Sequence, residues 1–128
     1  KELEIKKRTS QFDHFLKYAK AHSKEVFLIL GEPIGDEFDP KKSIRKDLKA
    51  YINIDIIKKS YQVHYSAIEN LRELKDVKII DPLKYLCEND ICRVMSDDFI
   101  YYYKDETHMR PWYAKKVLSY LDPIFVGN

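Results

Sequence analysis

Between residues 5 and 21, apolar side chains fall at Ile5, Phe12, Phe15, Leu16 and Ala19, a loose stripe at helical spacing with a polar opposite face. This predicts an amphipathic helix that His22-Ser23-Lys24 ends. Glu25 to Leu30 is a short run rich in β-formers and closed by Gly31, which predicts a buried parallel strand. Gly31 to Pro40 holds two glycines and two prolines, so it is expected to be a loop. In α/β proteins, a loop at the carboxyl end of a parallel strand is where binding groups gather.

The longest helical pattern runs from about Ile54 to Leu74, with Ile56, Ile57, Tyr61, Tyr65, Ile68 and Leu71 on one face. Asp55 suits its start, near the positive end of the helix dipole. Val77 to Ile80 predicts a second short strand, ended by Asp81-Pro82, and a turn of helix follows through Leu86. Ile91 to Met95 and Phe99 to Tyr103 read as two strands joined at Ser96-Asp97-Asp98 in a hairpin. A last helix starts near Pro111, is expected to bury Trp112, Val117, Leu118 and Leu121, and stops before Pro123.

Strands alternating with helices predict an α/β architecture with a parallel sheet. Two principal parallel strands are few for a free-standing sheet, so further strands are expected before Lys1. There is no internal repeat and no low-complexity segment.

Composition narrows the class. The 128 residues suffice for one domain with a modest core, and 1–128 is read as a single domain. Apolar residues make up 45% of the chain, a globular value. The 23 basic and 21 acidic residues leave a net charge of +2, so nucleic acid is not an expected partner. The longest purely apolar run, Val26 to Leu30, falls far short of the roughly 20 residues that cross a bilayer. No signal peptide is visible. The chain opens on Lys1 and charged helical sequence, which predicts a piece of a longer protein.

Cys87 and Cys92 admit three readings. They are two free thiols, a metal pair, or a local disulfide. No second Cys or His cluster with ligand spacing supports the metal pair. A disulfide requires Cα atoms within roughly 7 Å, and the turn-forming Glu88-Asn89-Asp90 between them permits that.

The stretch that carries chemistry is Tyr103-Lys104-Asp105-Glu106-Thr107-His108-Met109, after a predicted strand and before the last helix. A carboxylate three residues before a histidine in a loop can accept from Nδ1–H. Nε2 is then left to take a proton from a hydroxyl. Spacing alone does not single out this pair in a chain with four histidines.

The context does more. Ile79-Ile80-Asp81-Pro82, then Leu86-Cys87 and Cys92-Arg93, then Tyr101-Tyr102-Tyr103, Asp105-x-x-His108 and a helix resembles the C-terminal half of SGNH domains. The resemblance is to those fused to bacterial membrane acyltransferases of the acyltransferase-three family. It covers roughly residues 25 to 125 and is specific from Ile79 to Ala114.

The resemblance implies a three-layer α/β/α, flavodoxin-like fold, incomplete at its N-terminus. It also implies a periplasmic or otherwise extracytoplasmic domain of a bacterial inner-membrane protein, preceded in the same chain by a membrane acyltransferase domain. The implied activity is O-acyl transfer, commonly acetyl, from an acyl donor to a cell-surface glycan. His108 would be the general base, Asp105 its orienting partner, and Cys87–Cys92 a disulfide. Neither the residues nor the resemblance calls for a cofactor or a metal.

The chain departs from the family pattern in three places. Arg110 stands where a small polar residue, usually Ser, follows the His, and an arginine cannot cap the last helix as Ser does. Tyr113 stands where Gly often precedes Ala114. The family's Gly-Asp-Ser nucleophile block is missing. Only Gly31, Gly35 and Gly127 occur, Gly35-Asp36 is followed by Glu37, and no Gly-x-Ser-x-Gly elbow exists. The chain by itself is therefore expected to be inactive, with half of an active site. Two other readings stand beside this one. One is an SGNH-like module that binds glycan or protein without catalysis. The other is an unrelated cytosolic α/β domain with free thiols.

The remaining candidates read as structural. His14, His22 and His64 fall on predicted helices or their ends, with no clustered ligands. Tyr101-Tyr102-Tyr103 suits a half-exposed strand, and its exposed ring is a candidate for stacking on a sugar. Glu32, Asp36, Glu37 and Asp39 crowd one loop but lack the spacing of a calcium site.

Overall fold

The computed structural model describes residues 2–43 and 50–126; Lys1 and Gly127 lie outside it. The chain divides into two compact units, Lys1–Leu30 with Ser60–Ile80, and Gly31–Lys59 with Asp81–Asn128.

The first unit opens with helix α1, Glu2–His22. Only Leu16 of its predicted stripe is fully buried, while Phe15 stays exposed. Polar contacts tie α1 to the segment after the long helix. Asp13 Oδ1 accepts the N–H groups of Arg72 and Glu73, and the Lys20 ammonium donates to the carbonyls of Glu73 and Lys75. Strand β1, Val26–Ile29, pairs in parallel with β2, Val77–Ile80, in the register Val26↔Val77 to Ile29↔Ile80. The Leu30 N–H extends the ladder to the Ile80 carbonyl at 2.8 Å. The strands are parallel, as expected, but they are not buried. Parallel strands are normally covered on both faces, yet Ile29 and Ile79 remain 44% and 47% exposed.

Helix α2, Ile54–Glu69, ends five residues before the predicted Leu74. Its start is fixed by Asn53, whose Oδ1 accepts the Asp55 N–H at 2.8 Å, a side-chain cap of the kind that satisfies orphan donors. Among its described side chains, Ile57 and Tyr61 are buried, whereas Ile56 is exposed.

The second unit is built on a three-stranded antiparallel sheet. Its strands are β3, Tyr51–Asn53, β4, Ile91–Arg93, and β5, Cys87–Glu88, in the order β3-β4-β5. Two of these, β3 and β5, were not predicted. Asn89 and Asp90 link β5 to β4 with φ of 50° and 62°. A two-residue hairpin with both central φ values positive is a type I′ turn, and Asn and Asp tolerate that region best after Gly. Ile52 lies opposite Cys92, and both are buried.

The chain past β4 keeps extended pairing in fragments. Met95 bridges Tyr101 and Tyr103 bridges Met109, both antiparallel. The predicted hairpin about residues 96–98 is thus present as the one bridge Met95↔Tyr101 rather than two full strands. Short helix α3, Pro40–Ser43, follows a 3-10 turn at Asp36–Phe38, and α4, Leu83–Leu86, precedes the cysteine hairpin. Helix α5, Pro111–Val117, starts at Pro111 as predicted. The helix itself ends at Val117, yet the chain does not leave helical geometry before Pro123, because a 3-10 turn, Leu118–Leu121, leads into α6, Asp122–Phe125. Pro123 is tolerated there because the first turn of a helix needs no N–H from it. Nor is Trp112 buried. It is 46% exposed, and Tyr113 takes the inward position.

Candidate catalytic site

Asp105 and His108 sit in a loop closed by its own backbone. Tyr103 and Met109 bridge across its base, and the Lys104 N–H donates to the His108 carbonyl at 2.8 Å. Within the loop, Asp105 Oδ1 accepts the N–H of Thr107 at 3.0 Å and that of His108 at 2.9 Å. This is the turn that a short carboxylate makes with its own downstream backbone. The same oxygen lies 2.8 Å from His108 Nδ1. A carboxylate at Nδ1 selects the Nδ1–H tautomer, which makes Nε2 the basic nitrogen. Nε2 has no partner among the described residues, and the ring is exposed.

The Asp105 carboxyl is held well below the usual aspartate range. The backbone N–H of Thr107 contributes most, followed by the His108 ring. Donors to the charged form favour ionisation. The pair therefore stays in the arrangement of a negative carboxylate beside an imidazole that can accept a proton. Thr107 Oγ1 lies 3.0 Å from His108 Nδ1 and 3.2 Å from Asp105 Oδ1, at the same junction.

The loop rests on the segment Gly31 to Ser43. The Gly35 N–H donates to the Glu106 carbonyl at 3.0 Å. Gly35 has a φ of 147°, which favours glycine, and a Cβ there would meet Glu37 Oε2 at 3.0 Å. The Lys42 ammonium contacts Asp36 Oδ1 at 2.6 Å and Glu106 Oε2 at 2.7 Å. Beneath them, buried Phe38 packs on buried Tyr103 with ring centroids 4.7 Å apart. Phe38, Lys42 and Glu106 were not singled out in the sequence. Glu106 lay in plain view inside the motif, but nothing local marked its partner 64 residues away.

Two residues that follow the loop, Arg110 and Tyr113, have local roles of their own. Arg110 stands at the cap position of α5 without a side-chain cap bond, and Pro111 starts the helix instead. Tyr113 is used for packing. Its ring stacks on Tyr102 at 3.9 Å, and burial pushes its phenol up to about 12.

Cys87 and Cys92 form a disulfide with Cα atoms 4.2 Å apart. The I′ turn places them directly opposite across β5 and β4, one pair beyond Glu88↔Ile91. That spacing matches the close pairs of an antiparallel ladder.

The other sequence candidates have local partners. His22 Nδ1 contacts the Tyr18 carbonyl at 2.8 Å, and its ring stacks on Tyr18. The His64 ring packs against Tyr61. In the acidic loop, Asp39 caps α3 by accepting the Lys41 N–H, and Asp36 pairs with Lys42. Among the described residues, no group of three His, Cys, Asp or Glu side chains is placed to hold a metal ion.

Comparison with protein families matches residues 2–123 to the SGNH domain (fused to AT3 domains). The chain belongs to that family. Comparison with curated proteins and with solved structures gave no match. Family membership agrees with the α/β class expected from the strand and helix pattern, and it makes the chain an acyltransferase-associated SGNH module. In this family the SGNH domain is fused to membrane acyltransferase domains, so such a module is a domain of a membrane protein. No helix among the described residues is itself long and apolar enough to cross a membrane.

Proposed function

We propose that residues 1–128 are the C-terminal portion of an extracytoplasmic SGNH-like domain that transfers an acyl group, commonly acetyl, to a hydroxyl of a cell-surface glycan. The carrying observation is the 2.8 Å contact of Asp105 Oδ1 with His108 Nδ1, which leaves Nε2 open. In this reading a serine elsewhere in the parent protein attacks the acyl carbonyl and gives its proton to His108 Nε2. Asp105 stabilises the imidazolium that forms. The donor's leaving group takes that proton, and an acyl-serine remains. A sugar hydroxyl then attacks the acyl carbon and yields its proton to Nε2. The ester leaves and the serine is reprotonated. The disulfide supports an oxidising compartment, as on the periplasmic side of a membrane.

A second reading is that the module, whose 128 residues hold no Gly-Asp-Ser block, binds glycan without chemistry. Acetyl-ester turnover by the full-length protein decides between them. Asp105→Asn keeps the shape of the loop but removes the carboxylate, and it is expected to lower kcat by at least about 100-fold. Wild-type kcat in that variant refutes the catalytic reading. Glycan binding with no turnover in the wild type supports the second.

A further inference from the structure

We propose that Lys42 is a positioning residue that straps the loop of Asp105 and His108 to the segment after β1. The inference rests on the catalytic reading above and names a group that acts through the loop rather than on the reacting atoms.

One ammonium serves two carboxylates from different parts of the chain, Asp36 at 2.6 Å and Glu106 at 2.7 Å. Two carboxylates drawn that close repel each other unless a cation sits between them. Both contacts hold the Lys42 ammonium well above the usual lysine range, the Asp36 hydrogen bond first and then that of Glu106. Glu106 is also the loop's backbone anchor, since its carbonyl accepts the Gly35 N–H at 3.0 Å. The residue between the base and its orienting carboxylate is therefore fixed twice by the same segment, through its side chain and through its carbonyl.

Isolated surface ion pairs add little stability, and the strap's role here is position. The Asp105–His108 contact is internal to the loop and does not touch Lys42. Without the strap the pair stays intact, but its loop is left with the Gly35–Glu106 backbone bond as its polar anchor to this segment and can shift. A displacement of about 1 Å is enough to cost a catalytic group up to 100-fold in rate. The signature is a loss in kcat with KM held.

The test uses the full-length protein as wild type, Lys42→Met and Lys42→Arg. Lys42→Met is expected to lower kcat about 10-fold with little change in KM. Hydrogen exchange at the Gly35 amide is expected to quicken about as much, while the amides of β3 and β4 keep their protection. Lys42→Arg is expected to restore both. Wild-type kcat or unchanged Gly35 exchange in Lys42→Met overturns the proposal. If Lys42→Met instead loses protection throughout the second unit, Glu106→Gln carries the same test, and wild-type kcat there overturns it. Failure of the underlying reading looks different, because His108→Ala then turns over normally while the Gly35 exchange still reports the strap.

Discussion

Asp105 Oδ1 takes two backbone N–H groups and also faces His108 Nδ1, so most of the order in the loop converges on a single atom. This has a consequence for pH. The folded-state titration of Asp105 is depressed. A depressed carboxylate contributes stability that is present above its unfolded value of about 3.9 and is lost as pH falls through the folded value. Asp105→Asn should therefore flatten the acid limb of the stability curve below about pH 4. Urea midpoints at stepped pH measure this, and an unchanged acid slope contradicts the contacts at Oδ1. At this scale the motif was legible in the sequence, because all three bonds close within four residues. Lys42 was not, because its carboxylates come from either side of it and one is far along the chain. Trp112 and Tyr113 show how narrow the margin is on a short helix. Shifting the inward position by one residue exchanged the buried ring for the exposed one.

At the scale of elements, legibility followed length. Helix α2, strands β1 and β2 and the Pro111 start were predicted because each carries a pattern several residues long or a strong punctuation signal. Strands β3 and β5 are three and two residues long, too short for any periodicity, and they exist because β4 lies between them. The cysteine hairpin is the exception. Its turn residues and its half-cystines together mark it, once Asn89 and Asp90 are seen to need positive φ. Closing so short a loop removes about 2 kcal/mol of unfolded-chain entropy in the loop-closure treatment. A Cys87→Ser, Cys92→Ser chain is expected to lose roughly that much stability in denaturant unfolding. Equal midpoints in the presence and absence of reductant would show that the bond does not form in solution.

At the scale of the whole molecule, family membership supplies what geometry alone does not, an acyltransferase-associated context for the Asp105–His108 pair. The two units contribute unequally to that account. Asp105, His108, the Gly31–Ser43 segment and the disulfide all belong to the second unit. The first supplies the parallel pair β1–β2, whose Ile29 and Ile79 remain exposed, contrary to the burial expected of parallel strands. The alternation of strands and helices made the α/β class readable. It did not reveal that the larger sheet is antiparallel, because a three-stranded sheet of such short strands leaves no repeat in the sequence.

The central claim is that His108 is the base for acyl transfer. It is tested most directly by acetyl-ester turnover of the full-length protein with His108 replaced by alanine. The account predicts that kcat falls at least about 1000-fold with folding intact. Turnover at the wild-type rate would contradict it.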